Sequence, residues 1–191
     1  MNPFDLSNKV ICVTGASSGI GRQCAVSCSR MGATVVLLAR NEQRLHETLS
    51  IMDNPDKHVI IPVDLTEYAT VELVVKNIVS QVGRISGVLH CAGISTTLPL
   101  KLVTPEKLDE FFQANVFSAY NLTREVCKMG NFSKEGGSIV FFSSVMGKVG
   151  ENGKSLYGMT KGALVSGTRS LACELAKKKI RVNTVSPGVV I

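Results

Sequence analysis

A phenol and an ammonium group stand four residues apart in the segment Tyr157-Gly158-Met159-Thr160-Lys161. Side chains at this spacing share one face of a helix, so the two groups can meet. A free phenol, with a pKa of about 10, is a poor proton carrier at neutral pH, but a neighbouring ammonium favours the phenolate. The pair could therefore move a proton to or from a substrate. Because the same spacing occurs by chance on many helix surfaces, it needs support from its surroundings.

A glycine-rich segment provides a second chemical signal, Thr14-Gly15-Ala16-Ser17-Ser18-Gly19-Ile20-Gly21. It lies between an apolar run and a helical pattern, where a strand would turn into a helix. Gly15 permits the tight turn, Gly19 lets backbone approach a pyrophosphate, and Gly21 allows close helix packing. The free N–H groups of the helix start would face the phosphates. The segment predicts a dinucleotide site, although any tight strand-to-helix turn could use three glycines.

The next two apolar runs end in residues that bear on the choice of dinucleotide. The first ends Leu38-Ala39-Arg40-Asn41, without the carboxylate that usually binds the ribose 2′-hydroxyl of NAD. Arg40 could pair with the 2′-phosphate of NADP, or it could face solvent at the start of a helix. The second run ends Val63-Asp64-Leu65-Thr66. Asp64 could accept from the adenine amino group, with Leu65 against the ring, or cap the next turn, and these readings are compatible. We expect NADP(H) rather than NAD(H).

Strand and helix patterns alternate along the whole chain and put these segments at strand ends. Apolar runs predict strands at 9–14, 34–39, 59–63, 87–90, 138–142 and 181–185. Helical patterns lie at 19–31, 41–52, 68–82, 104–129 and 156–178, with Thr104 as a cap and Pro105 at the first helical position. This alternation predicts an α/β fold in one domain spanning 1–191, with a doubly wound parallel sheet and helices on both faces.

Composition and charge exclude several classes of function. The net charge is +6, but the basic residues are dispersed, and Lys177-Lys178-Lys179 falls at a predicted helix end, where cations are favoured. We therefore expect no nucleic-acid partner. The start, residues 1–5, has no secretory signal pattern, and no apolar run is long enough to span a membrane.

The six cysteines are scattered, without a CxxC pair. Cys24 and Cys28 share a helical face and could form half of a metal site, but no second pair completes it. Free thiols in a reducing compartment are the simpler interpretation, which predicts a cytoplasmic protein without a metal.

Taken together, these motifs resemble the short-chain dehydrogenase/reductase family over essentially the whole chain. The matching elements, in the family's order and spacing, are Thr14 to Gly21, Asp64, Ala92-Gly93, Asn115, Ser144, Tyr157, Lys161 and Pro187-Gly188. The sequence is similar to the 3-oxoacyl-acyl-carrier-protein reductase-like members. The resemblance implies a Rossmann fold and an NADP(H)-dependent oxidoreductase that interconverts a ketone and a secondary alcohol. It also implies a small-molecule or acyl-thioester carbonyl substrate and a homodimer or homotetramer.

The resemblance assigns a role to each site residue. Tyr157 would be the acid in reduction and the base in oxidation, and Lys161 would also hold the nicotinamide ribose hydroxyls. Ser144 would donate to the substrate oxygen, and Asn115 would hold a water that relays protons to Lys161. Further cofactor contacts would come from Asn41, Cys91, Ala92, Gly93, Pro187 and Gly188.

Two features depart from the family pattern. His90-Cys91 replaces the usual Asn-Asn before Ala92-Gly93; at the end of a buried strand, His90 is expected to be structural rather than catalytic. The chain also ends at Ile191, where relatives continue with a substrate-covering segment and a final strand. We therefore expect that the C-terminal part is missing and that the sixth strand forms an unpaired edge.

Two alternative functions use the same scaffold. A catalytically silent NADP-binding sensor would fit the glycine loop, although Tyr157 and Lys161 are both present. A sugar-nucleotide epimerase or dehydratase would use the same pair, but relatives of that kind carry a different glycine spacing and a larger C-terminal substrate domain. Apolar residues beyond those needed to cover the sheet, for instance Leu164, Val165, Leu171 and Leu175, would fit a paired-helix dimer interface.

Overall fold

Six parallel strands form one sheet in a computed structural model that describes residues 4–190. The strands are β1 (Val10–Thr14), β2 (Thr34–Ala39), β3 (Val59–Pro62), β4 (Gly87–His90), β5 (Gly137–Phe142) and β6 (Ile180–Val185). They lie in the order β3-β2-β1-β4-β5-β6, and every neighbouring pair is parallel. The predicted features at Met1–Pro3 and at Ile191 lie outside the described residues.

Helices cover both faces of this sheet. They are α1 (Gly19–Arg30), α2 (Glu42–Leu49), α3 (Tyr68–Val82), α4 (Pro105–Phe112), α5 (Ser118–Val126) and α6 (Ser155–Leu175). Successive strand side chains point to opposite faces, so Val10 and Cys12 of β1 pack in the core with α3, α5 and α6. Ile11 and Val13 pack in a second core with α1 and α2. This confirms the doubly wound Rossmann fold predicted from the alternation of strands and helices.

Side-chain caps start two of the helices, and the one at Thr104 is predicted from the sequence. The Thr104 hydroxyl accepts a hydrogen bond from the Lys107 N–H at 3.3 Å, and Pro105 is the first residue of α4. The Asn41 amide oxygen accepts from the Arg44 N–H at 2.9 Å and so caps α2. Each cap satisfies an N–H group that has no partner within its helix.

The continuous helix predicted over 104–129 is wrong. Helix α4 ends at Phe112, and Gln113–Phe117 forms a π-helical turn before α5 begins. The side chain of Asn115, inside this turn, is buried and bonded to other parts of the chain, as described below. Such π-turns often occur at functional sites. Helix α6 also ends earlier than predicted, at Leu175, because the chain tightens into a 3₁₀ turn before Lys179 takes a left-handed φ of 57°.

The strand order reverses between β1 and β4, where the connections from their carboxyl ends diverge and leave a crevice. The glycine loop follows β1, and Cys91-Ala92-Gly93 follows β4. Strand β6 lies at the edge of the sheet, next to β5. Within residues 4–190, no helix is both long and apolar enough to cross a membrane.

Candidate active site

The two loops at the crevice are held in direct contact. The Ala92 N–H donates to the Thr14 hydroxyl at 3.0 Å, which joins the ends of β1 and β4. Gly15 has a φ of +65°, and a Cβ there would lie 2.9 Å from the Ala92 Cα. A Cβ at Gly21 would collide with the Gly15 carbonyl oxygen. Both glycines therefore occupy positions where a side chain would disrupt the loop, as the glycine spacing predicts.

A polar brace on α1 and α2 fixes the glycine loop from behind. The Arg22 guanidinium donates to the Ser17 carbonyl at 2.8 Å and to the Thr48 hydroxyl at 3.0 Å. The buried Thr48 hydroxyl in turn donates to the Ala16 carbonyl at 2.9 Å. These bonds occupy loop carbonyls and fix the backbone conformation. This brace could not be predicted from the sequence, because Thr48 lies 26 residues from Arg22 and 32 residues from Ala16 along the chain.

A cleft of about 620 Å³ opens along the loops at the ends of β1 to β4. Most of the predicted cofactor residues line it: Gly15, Ser17, Ser18, Gly19, Ile20, Gly21, Arg40, Asn41, Asp64, Leu65, Cys91, Ala92 and Gly93. The sequence analysis did not identify the other lining residues: Leu38, Ala39, Arg44, Val63, Thr66, Ile94, Ala114 and Ser118. Four predicted residues, Tyr157, Lys161, Pro187 and Gly188, lie outside this lining. The glycine cradle and the cleft's polar and apolar lining fit a dinucleotide.

Arg40 and Asp64 face each other at one end of the cleft. Their closest charged atoms are 3.8 Å apart, and the Arg40 side chain is 76% exposed. Asp64 also accepts hydrogen bonds from the Thr66 N–H at 3.0 Å and the Thr66 hydroxyl at 2.7 Å, so it caps the next turn. Burial alone would raise the pKa of Asp64, but the Thr66 bonds and the Arg40 charge together hold it below its usual value. Arg40 thus stays available at the cleft in a weak, exposed ion pair.

Asn115 connects the π-helical turn to the loop after β4 and to α6. Its amide oxygen accepts from the Ile94 N–H at 2.7 Å, and its amide nitrogen donates to the Ile94 carbonyl at 2.9 Å. The same nitrogen donates to the Thr160 hydroxyl at 3.0 Å. A Cβ at Gly93 would lie 3.0 Å from the Asn115 amide oxygen and 3.4 Å from the Lys161 Nζ. The side chains of Asn115 and Lys161 therefore both lie against Gly93.

Lys161 is a buried ammonium beside the phenol. Its side chain donates to the Phe142 carbonyl at 2.8 Å, and its Nζ lies 5.7 Å from the centre of the Tyr157 ring. Burial lowers the pKa of Lys161 to about 8, although a weaker interaction with Cys91 opposes that shift. A buried lysine with a lowered pKa is typical of functional sites, because burying a charge without an anion costs stability.

Ser144 lies on a short turn that packs tightly against α6. Its hydroxyl accepts from the Met146 N–H at 3.2 Å and caps the turn Val145–Gly147. A Cβ at Gly158 would lie only 2.8 Å from the Met146 carbonyl oxygen, so the turn touches the helix next to Tyr157. Beyond the turn, the Val145 N–H donates to the Pro187 carbonyl at 3.0 Å. The glycine at 158 thus brings the segment carrying Ser144 against the helix carrying Tyr157.

The His90-Cys91 pair divides between the two faces of the sheet. The His90 ring is buried, stacks on Phe141 with centroids 4.6 Å apart, and contacts the Thr123 hydroxyl at 2.8 Å. Burial lowers the pKa of His90 to about 3, so the ring is neutral near pH 7. These contacts give the His90 ring a structural role, as expected from the position of His90 at the end of a buried strand. Cys91 points to the opposite face, where a hydrogen bond with Cys24 is the main cause that raises its pKa.

Residues far apart in sequence thus converge at the carboxyl edge of β1, β4 and β5: the glycine loop, Gly93, Asn115, Ser144, Tyr157 and Lys161. Within residues 4–190, no group of three or more His, Cys, Asp or Glu side chains is arranged to hold a metal ion. The arrangement can support proton transfer at a phenol beside a cleft shaped for a dinucleotide.

Comparison with known proteins matches the chain to one family. The family model described as short chain dehydrogenase matches residues 9–191. The chain is 32% identical over 185 residues to the uncharacterized oxidoreductase SERP2049 of Staphylococcus epidermidis, covering 97% of this chain and 79% of that protein. It is 30% identical over 187 residues to the 3-oxoacyl-[acyl-carrier-protein] reductase FabG of Escherichia coli, covering 98% and 75%.

A solved structure supports the same match. A short-chain dehydrogenase from Streptomyces avermitilis superposes with a TM-score of 0.88 at 32% sequence identity. The alignment covers 96% of this chain and 66% of that one. The chain therefore spans just under two thirds of that structure's length and about three quarters of the two sequence relatives.

Proposed function

The chain belongs to the short-chain dehydrogenase family, and we propose that it is an NADP(H)-dependent oxidoreductase that interconverts a ketone and a secondary alcohol. The observation that carries this proposal is the convergence of Tyr157, Lys161, Ser144 and Asn115 beside Gly93, at the end of a dinucleotide-shaped cleft. The family supports an oxidoreductase that uses NAD(P). The choice of NADP, the carbonyl substrate and the role of each residue are our proposals.

The site residues divide the reaction between them. When bound, NADP(H) supplies or accepts the hydride at the substrate carbon. Tyr157 gives the proton to the carbonyl oxygen in reduction and takes it back in oxidation. Lys161 lies beside the phenol, with its Nζ 5.7 Å from the ring centre, and would hold the ribose hydroxyls. Ser144 donates to the substrate oxygen as negative charge develops there.

Asn115 has a positioning role in this proposal. Its side chain holds both backbone groups of Ile94 and the Thr160 hydroxyl, next to Gly93 and Lys161. The proposed water relay to Lys161 would start beside this amide. Pro187 and Gly188 would contact the nicotinamide half of the cofactor, since the Pro187 carbonyl binds the turn that begins at Ser144.

The preference for NADP rests on Arg40. The cleft wall at the end of β2 has Arg40 and Arg44 and no carboxylate of its own, while Asp64 approaches from the end of β3. A 2′-phosphate would compete with Asp64 for the Arg40 guanidinium, and a dianion that accepts two parallel bonds from the planar guanidinium is the better partner. The ribose hydroxyl of NAD offers no such charge.

The substrate we propose is a small ketone or an acyl thioester with a carbonyl group, as in the reductase relative from E. coli. We also propose a homodimer or homotetramer in the cytoplasm. Side chains on and beside α5 and α6 support the assembly, since Phe117, Tyr120 and Met159 are about half exposed. Leu164 and Leu175 belong to the core instead, and Leu171 packs against it. The six cysteines are all unpaired, which fits a reducing compartment.

Turnover with a carbonyl panel tests the proposal. Purified protein should oxidise NADPH, followed by absorbance, in the presence of at least one acetoacetyl thioester or small ketone. NADH should support a lower kcat/KM with the same substrate. Tight NADPH binding without turnover of any carbonyl compound would favour the silent sensor instead.

A further inference from the structure

Tyr157 lies near two ammonium groups, those of Lys161 and Lys154, and the proposed reaction involves only Lys161. Lys161 follows Tyr157 by four residues on the same face of α6, and Lys154 precedes it by three, as the last residue before α6. The Lys154 Nζ is 6.0 Å from the centre of the phenol ring, nearly as close as the Lys161 Nζ at 5.7 Å. Lys154 is therefore a second cation at the reacting phenol.

Lys154 also contacts the loop that follows Gly93. Its Nζ donates to the Thr96 carbonyl at 3.1 Å, and next to it the Leu98 N–H donates to the Gly153 carbonyl at 2.7 Å. An ammonium has three N–H donors, so the Thr96 carbonyl leaves two for another acceptor. The free donors lie between this loop and the phenol, where a substrate bound at Tyr157 would extend.

The positive charge around Tyr157 has no counter-charge in the described part of the chain. Neither Lys154 nor Lys161 takes part in any ion pair among residues 4–190, and Glu151, the nearest acid in sequence, is exposed. Lys154 is half-buried, and a partly desolvated cation is stabilised by an anion. Helix stability does not account for Lys154 either, because a cation at the start of α6 opposes the helix dipole.

We propose that Lys154 is a specificity-determining residue that binds a carboxylate of the substrate, so that the protein prefers keto acids to neutral ketones. This inference rests on the proposed carbonyl reduction at Tyr157. The substrate's carbonyl oxygen contacts the phenol, and its carboxylate accepts the two remaining donors of Lys154. A neutral ester in the same position offers no charge to these donors.

Paired substrates test the inference. NADPH oxidation is measured with α-, β- and γ-keto acids and with the methyl ester of each, using the wild-type protein and its Lys154→Met, Lys154→Arg and Lys134→Met variants. At least one acid should exceed its ester in kcat/KM by roughly tenfold or more, as expected for a charge-assisted hydrogen bond. Lys154→Met should remove this preference by raising the KM of the acid much more than that of the ester, because only the acid loses a charge-assisted hydrogen bond.

The two other variants separate charge from structure. Lys154→Arg keeps the charge and should keep most of the preference, whereas Lys134→Met removes an exposed charge before β5 and should change nothing. Equal kcat/KM for acids and esters in the wild type would overturn the inference while leaving the proposed function intact. An equal loss for acid and ester in Lys154→Met would also overturn it, because Lys154 would then only tether the loop. Turnover of neither class would reject the proposed function itself.

Discussion

Burial of the Lys161 ammonium should lower the free energy of unfolding, and a substitution that removes this charge should raise it. The pKa of this ammonium falls from 10.5 to about 8, and burial is the largest cause. The difference of about 2.5 units, at about 1.36 kcal/mol per unit, corresponds to roughly 3 kcal/mol against the charged form. Lys161→Met also loses the bond to the Phe142 carbonyl, worth about 1 kcal/mol. We expect the variant to be more stable than the wild type by about 2 kcal/mol at pH 7.

The sign of the pH dependence follows from the same shift. Between about pH 8 and 10.5 the unfolded chain binds a proton at this lysine that the folded protein has released, so the wild-type free energy of unfolding rises with pH. Lys161→Met lacks this contribution, and its advantage should vanish towards the upper end of the window. Cofactor-dependent turnover should be lost in the variant at every pH, which would identify Lys161 as a site where stability is given up for function.

Urea unfolding followed by circular dichroism measures both effects. The wild type, Lys161→Met and the exposed control Lys134→Met are compared at pH 7 and pH 10. The control should show the same difference between the two pH values as the wild type. The same difference in Lys161→Met would refute the claim that burial destabilises this charge.

Three further predictions concern other residues of the site. His90 has a pKa of about 3 when folded and about 6.5 when unfolded, so the wild type should lose up to about 5 kcal/mol of stability as the pH falls through that window. His90→Asn should show a smaller loss in urea unfolding at pH 4; equal acid sensitivity would contradict the burial argument. Arg40→Ala should weaken NADPH binding by about tenfold or more and leave NADH binding nearly unchanged, measured by fluorescence titration, whereas equal effects would mean that Arg40 contacts no 2′-phosphate. Ser144→Ala should lower kcat by roughly 100- to 1000-fold in the turnover assay, and a smaller effect would argue against its role as a donor to the substrate oxygen.

The order of the elements could be predicted from the sequence because the central strands are buried on both faces and therefore read as continuous apolar runs between helical patterns. The bounds of β2, β4 and α3 match the apolar pattern, and the glycine spacing predicted the tight turn at Gly15 and the close packing at Gly21. A local pattern also identified the cap at Thr104. These features depend on neighbours within a few residues, which a single sequence displays.

Features that depend on distant contacts could not be predicted in the same way. The π-helical turn at Gln113–Phe117 accompanies hydrogen bonds from Asn115 to Ile94 and Thr160, which helical periodicity cannot reveal. The ion pair between Arg40 and Asp64 joins two strand ends, so the sequence offered only a phosphate or solvent as partners for Arg40. The spacing of three residues between Lys154 and Tyr157 indicates that the two side chains can lie close together. The bond from Lys154 to the Thr96 carbonyl could not be predicted, because it depends on the path of the loop after Gly93.

The central claim is that Tyr157 transfers the proton while the glycine-loop cleft binds the cofactor. Tyr157→Phe separates the two, because it removes one hydroxyl from a ring outside the cleft lining. The most direct measurement is NADPH-dependent reduction by this variant beside its dissociation constant for NADPH. Turnover should fall to background while the NADPH affinity stays within about twofold of the wild type, as expected if the hydroxyl acts mainly in the transition state. Equal loss of turnover and affinity, or turnover retained without the hydroxyl, would contradict the account.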